Sequence, residues 1–73
     1  MKRYDLRKLK NDFEPRMKEI LGEHKTGEVA IFLFEIGDFT AIQRSADAVK
    51  ECGCELMNSL KFNEVDWTIV CKK

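Results

Sequence analysis

The side chains of this sequence that could carry out covalent chemistry are three cysteines, Cys52, Cys54 and Cys71, and the single histidine, His24. A thiolate can carry sulfur or exchange electrons, so Cys54, with Cys52 beside it, is a candidate for sulfur transfer or redox chemistry. Both cysteines lie at the predicted C-terminal end of a helix, where the negative end of the helix dipole raises a thiol pKa and disfavours the thiolate. We expect Cys54 to be the most accessible thiol, and Cys52 and Cys71 to be small buried residues.

Other catalytic or metal-binding arrangements are incomplete. Two thiols one residue apart, with one histidine elsewhere, fall short of a zinc ligand set. His24 lies near a predicted helix C-terminus and is interpreted as a dipole partner. The sequence has no Ser/His/Asp or Cys/His arrangement and no glycine-rich phosphate loop. We therefore predict no metal site and no cofactor, and we favour a binding module over an enzyme.

Composition limits the class of protein. The 73 residues, 44% hydrophobic and 36% charged, predict one soluble domain over 1–73. Thirteen basic and thirteen acidic side chains give zero net charge, which argues against nucleic-acid binding through bulk charge. A basic N-terminal cluster keeps that binding open as an alternative: Lys2, Arg3, Arg7, Lys8 and Lys10. We expect no signal peptide, because no apolar segment follows the first basic residues, and no membrane span, because no run of about 20 apolar residues occurs. The odd cysteine count predicts a reducing cytoplasm.

Hydrophobic periodicity predicts the order β-α-β-α-β-β. The first strand is expected at 4–6, the long one at 28–36, and the last two at 54–61 and 67–71. Helix one begins after Asp12 with Pro15 in its first turn. Helix two begins at Asp38, or at Thr40 with Gln43 in a capping box, and closes at Gly53. The predicted fold is an α/β (α+β) two-layer sandwich, with both helices on one face of a mixed four-stranded sheet.

The two helices are expected to bury apolar stripes. In helix one the stripe is Phe13, Met17, Ile20 and Leu21. In helix two it is Ile42, Ala46, Val49 and Cys52, with Ala41 and Ala48.

The long strand is apolar on both sides. Ala30, Phe32 and Phe34 are expected beneath the helices, which leaves Val29, Ile31 and Leu33 on the open face of the sheet. An uncovered aliphatic surface predicts self-association or a protein partner at this face.

Several segments, taken in order, are similar to the TusA/SirA-like small sulfur carriers. They are Tyr4-Asp5-Leu6 with Leu9, Met17 to Leu21, Lys25 to Val29, Asp38, Gly53 to Leu56, and the ending Cys71-Lys72-Lys73. The resemblance implies that family's sandwich fold. It also implies a Cys-Pro-x-Pro carrier motif at the start of helix one, where the carrier position falls on Lys10, Asn11 or Asp12 and Pro15 matches the second proline. Arg44-Ser45 departs from the family's Asp-Ile.

The missing carrier cysteine sets the functional expectation. The leading hypothesis is a TusA-like interaction module related to sulfur trafficking, which binds a sulfur-relay protein through a helix-one surface of Lys8, Lys10 and Arg16. The alternatives are a divergent sulfur-transfer or redox protein that uses Cys54, and nucleic-acid binding by the basic N-terminal face.

Overall fold

Two helices cover one face of a four-stranded sheet in the computed structural model of the protein, which describes residues 1–37 and 40–73. The predicted cap at Asp38 lies outside the described residues. The elements are β1 (Lys2–Asp5), 3₁₀ turns over Arg7–Asp12, α1 (Phe13–Glu23), β2 (Val29–Glu35), α2 (Thr40–Glu51), β3 (Glu55–Lys61) and β4 (Asp66–Lys72). The predicted two-layer sandwich and its mixed sheet are confirmed.

The strands lie side by side in the order β1-β2-β4-β3. β1 runs parallel to β2, with Arg3 beside Ile31 and Asp5 beside Leu33. β4 is antiparallel to both β2 and β3. The crossover from β1 through α1 to β2 is the connection that a parallel pair of strands requires.

β2 alternates between the two faces of the sheet, as expected. Ala30, Phe32 and Phe34 are buried beneath the helices, whereas Val29, Ile31 and Leu33 are half-buried on the opposite face. Because a strand side chain changes face at every residue, one register places the whole aromatic set in the core.

The core is built around stacked aromatic rings. The rings of Phe13 on α1 and Phe34 on β2 stack with their centroids 4.4 Å apart. The Arg44 guanidinium of α2 lies 5.4 Å from the Phe13 centroid. These contacts therefore join α1 to both the sheet and α2. The stacking of the two phenylalanine rings stabilises the fold by about 0.5–1.5 kcal/mol beyond the effect of burying their area.

The stripe of α1 is confirmed, and Ala41, Ala48 and Val49 of α2 are buried as predicted, but the buried face of α2 includes Ser45 in place of Ile42 and Ala46. The buried residues of α2 are Ala41, Ser45, Ala48 and Val49. Ile42 and Ala46 are only half-buried, and Cys52 follows the last residue of the helix. Ser45 can occupy the core because its hydroxyl donates to the Ile42 carbonyl over 2.7 Å.

Two residues with positive φ lie just outside the helices, Lys10 before α1 and Gly53 after α2. Gly53 has φ +71° and ends the α2 region, as predicted for a left-handed closing residue. Lys10 has φ +49° and ψ −124°, a conformation that residues with a side chain rarely adopt, and it interrupts the turns before α1.

Candidate functional site

The open face of the sheet is the surface that no described helix covers. Its central side chains stand in two rows across the four strands, because paired neighbours on adjacent strands point to the same side. Row one is Arg3, Ile31, Val70 and Asn58, and row two is Asp5, Leu33, Thr68 and Leu60. We call these eight residues the open face.

A shallow groove of about 520 Å³ runs over the open face. Its centre is apolar, formed by Ile31, Leu33 and Val70, and Leu60 and Phe62 extend it toward the β3 edge. Leu60 is 50% exposed and Phe62 is 58% exposed, so the groove ends in large apolar side chains that water can reach. Exposed apolar surface of this kind is typical of a binding surface.

The β1 side of the groove is charged. Arg7 donates from Nε and Nη2 to the carboxylate of Asp5, over 3.0 Å and 2.7 Å respectively. This hydrogen bonding lowers the pKa of Asp5 to about 2, and the Asp5 carboxylate in turn raises the pKa of Arg7. Arg3, by contrast, makes no ion pair with any residue that the structure describes. One cation at this edge is therefore available to a partner.

Asp66 anchors the hairpin that carries Leu60 and Phe62. Its carboxylate accepts hydrogen bonds from Asn63 Nδ2 at 2.9 Å and from Arg7 Nη1 at 3.4 Å. Its side chain is only 7% exposed, and these donors satisfy it. The β3–β4 turn is thus bound to Arg7, in the turns that follow β1.

The solvent accessibility of the cysteines differs from the prediction. Cys54, expected to be the most accessible, is 8% exposed, while Cys52 is partly exposed and Cys71 is fully buried. Burial raises the pKa of Cys54, and it raises the pKa of Cys71 to about 12. Neither buried thiol has the electropositive, accessible setting of a reactive cysteine. The redox role proposed for Cys54 and Cys52 stays a prediction that this geometry does not favour.

His24 is buried and linked to β1. Its Nε2 lies 2.7 Å from the Tyr4 hydroxyl, and its Nδ1 is 3.8 Å from a carboxylate oxygen of Glu28. Among the described residues, that Nδ1 has no hydrogen-bond partner. His24 is the C-cap residue of α1, at the predicted helix C-terminus, and its side chain is buried beside Tyr4.

The predicted helix-one surface adjoins the open face at Lys8, which lines a second shallow groove together with Asp5 and Asp66. Lys8 and Lys10 are exposed on the 3₁₀ turns, and Arg16 on α1 pairs with Glu19. The candidate carrier positions Asn11 and Asp12 close the same turns, and Pro15 lies in the first turn of α1. Their binding role stays a prediction.

Sequence reasoning identified Val29, Ile31 and Leu33 but missed the charged and apolar residues beside them. The missed residues are Arg3, Asp5, Leu60 and Phe62. A signal was present, since Asn58, Leu60 and Phe62 alternate along one strand and its turn, as residues of one sheet face do.

Comparison with known families identifies the family of this protein. A family model named NADH-UOR_E, for the putative E chain of NADH-ubiquinone oxidoreductase, matches residues 1–73. The protein belongs to this family. The prediction of a TusA/SirA-like sulfur carrier is wrong, because the matching family is that of the oxidoreductase E chain and only the α+β fold agrees.

The protein is also similar in sequence and fold to a solved structure. The solution structure of HP1264 from Helicobacter pylori is 53% identical to this protein, with a TM-score of 0.74. The match covers 100% of this sequence and 97% of that one. Comparison with curated protein sequences gives no significant match.

The cysteine set of this NADH-UOR_E member does not fit an iron–sulfur cluster. Such clusters are commonly held by four cysteine thiolates, and this protein has three cysteines, two of them buried with raised pKa values. Among residues 1–37 and 40–73, no three His, Cys, Asp or Glu side chains are grouped to hold a metal ion. In the same residues, no helix is long and apolar enough to cross a membrane.

Proposed function

We propose that this protein is a non-catalytic, protein-binding subunit of an NADH-ubiquinone oxidoreductase type of assembly, and that the open face of its sheet is the docking surface. The observation that carries the proposal is the apolar centre of that face, where Ile31, Leu33 and Val70 line a groove that no described helix covers. Burying such a surface against protein removes apolar area from water, at roughly 25 cal/mol per Å².

The composition of the face supports a protein partner. Its centre is apolar, while Arg3 and Asp5 lie at the β1 rim and Lys61 lies near the β3 rim. An apolar centre with a polar rim is the usual anatomy of a protein–protein interface. The family description points the same way, since one chain of a multi-chain oxidoreductase works in contact with the others.

The titratable groups support a binding role rather than a catalytic one. Cys54 and Cys71 are buried with raised pKa values, so neither thiolate is favoured near neutral pH. Asp5 and Arg7 neutralise each other at the rim of the groove. A general acid or base needs a pKa near the working pH, and the lowered pKa of Asp5 moves that carboxyl away from it.

A site-specific photocrosslinker tests the proposal in the producing cells. The crosslinking amino acid replaces Thr68, which is at the middle of the open face, and in a matched control it replaces Lys50, which is exposed on α2. We expect a covalent product from position 68 and not from position 50, and mass spectrometry should identify the crosslinked partner. That partner should be a subunit of the oxidoreductase or another copy of this protein. No product, or equal yields from both positions, would contradict the proposal.

A further inference from the structure

We propose that the open face binds a second copy of this protein, related by a two-fold axis that runs across the strands between the two rows. This inference rests on the proposed function and names the occupant of that docking surface. Its starting point is the pairing of β1 with β2, which places the cationic Arg3 in row one and the anionic Asp5 in row two.

The register makes the face complementary to itself. A two-fold axis midway between the rows brings row one of one copy opposite row two of the other. Arg3 then faces Asp5 of the second copy, and Ile31 faces Leu33 of the second copy. Symmetry repeats each contact, so the pair gains two ion pairs at one edge and a closed apolar centre.

A second copy can reach both charged groups of this contact. Arg3 is exposed and pairs with no carboxylate in the described part of the protein. The side chain of Asp5 is 52% exposed, although it already pairs with Arg7. The Asp5 carboxylate accepts from the backbone N–H, the Nε and the Nη2 of Arg7, so about one of its roughly four lone-pair positions is left for a second guanidinium.

A two-fold axis along the strands gives a worse arrangement. It places β2 over β4 of the second copy and β1 over β3, with each row facing itself. Asp5 would then face Leu60 of the second copy, and Arg3 would face Asn58. A carboxylate against an apolar side chain is unfavourable, and Arg3 gains no carboxylate partner in this arrangement. Charge thus selects the axis across the strands.

The size of the sheet predicts a weak pair. Three strands about 23 Å long and the shorter β1, about 13 Å long, are spaced about 4.8 Å apart and present roughly 400 Å² per copy, or roughly 800 Å² in total. Stable specific interfaces bury about 1,200–2,000 Å². We therefore expect a dimer that dissociates on dilution.

Sedimentation equilibrium of the purified protein tests for this dimer. The average mass should rise from 8.5 kDa toward twice that value as the concentration is raised from about 10 µM to about 1 mM. A protein that keeps the monomer mass throughout would overturn the inference. If position 68 then crosslinks to an oxidoreductase subunit, the proposed function stands with a different occupant.

Charge exchange tests the arrangement. Arg3→Asp should lose the association because the introduced carboxylate faces the carboxylate of Asp5 in the second copy. Asp5→Arg should lose it because the introduced guanidinium faces the guanidinium of Arg3. An equimolar mixture of the two variants should regain the association, since every facing pair is then opposite in charge. Recovery in the mixture also shows that both variants are folded.

A control separates this contact from a general charge effect. Lys50→Asp makes the same kind of charge change on the helix layer and should leave the association unchanged. Leu33→Lys, in the apolar centre, should abolish association without recovery when mixed with either charge variant. Association that survives Arg3→Asp and Asp5→Arg, or a mixture that stays monomeric, would overturn the proposed axis.

Discussion

The Tyr4 hydroxyl lies 2.7 Å from Nε2 of His24, so the edge strand β1 is hydrogen-bonded to the segment that follows α1. The Tyr4 ring also stacks on Phe32 with a centroid distance of 5.2 Å. β1 carries Arg3 and Asp5 on its other side, toward the open face. The buried contact on one side of the strand therefore helps to hold the charged residues on the other.

Tyr4→Phe should destabilise the protein by about 1–3 kcal/mol, because it leaves Nε2 of His24 without its partner in a buried position. Urea denaturation of the variant and the parent measures the difference. His24→Phe provides the second corner of a double-mutant cycle. The double variant should cost less than the sum of the single variants, since it removes both polar groups. Strict additivity would show that the two groups are not coupled.

The ion pair of Asp5 and Arg7 predicts a specific acid dependence. Asp5 has a pKa of about 2 in the folded protein, below the value of about 3.9 for an unperturbed Asp. Because the folded pKa is the lower one, the contribution of the pair to stability is complete above about pH 4 and is lost as the pH falls through about 2. The effect should be small, since both side chains are exposed and salt screens them.

An NMR titration of the Asp5 carboxyl carbon measures this pKa directly. Arg7→Gln should move the midpoint upward toward the ordinary Asp value, because the hydrogen-bonded guanidinium is the main cause of the shift. A midpoint near the ordinary value in the unaltered protein would contradict the ion pair.

The three thiols should react with iodoacetamide in a fixed order. Cys52 is partly exposed and should be alkylated before Cys54, which is 8% exposed. Cys71 has no exposed surface and a pKa of about 12, so it should react only when the protein unfolds. Peptide mapping by mass spectrometry, with and without denaturant, follows each site. Native labelling of Cys71 as fast as Cys52 would show that β4 opens readily.

Adjacent positions on β2 should respond differently to substitution. Phe34→Leu should cost about 1–2 kcal/mol, because it shortens a fully buried side chain and removes the stack with Phe13. Leu33→Thr should cost less than about 1 kcal/mol, because Leu33 is half-buried on the open face and threonine suits a strand. Denaturant midpoints at equal concentration give the ranking, and the reverse order would contradict the assignment of faces.

Much of the fold follows from local patterns. The alternation along Val29–Phe34 assigns each residue to a face, and the spacing of Phe13, Met17, Ile20 and Leu21 defines the buried stripe of α1. Both are short-range properties, so the sequence predicts them well. The buried face of α2 is harder to predict, because it includes a polar residue. Ser45 can be buried in the core because its hydroxyl donates a hydrogen bond to the Ile42 carbonyl.

The sequence by itself determined the elements, their order, and the apolar residues that lie on the open side of β2. Only the tertiary structure decided that Arg3 and Asp5 stand beside Ile31 and Leu33, and that Leu60 stands across the sheet from them. The reason is that strand neighbours are chosen by contacts between residues far apart in the sequence, in the order β1-β2-β4-β3, and no local periodicity records that choice.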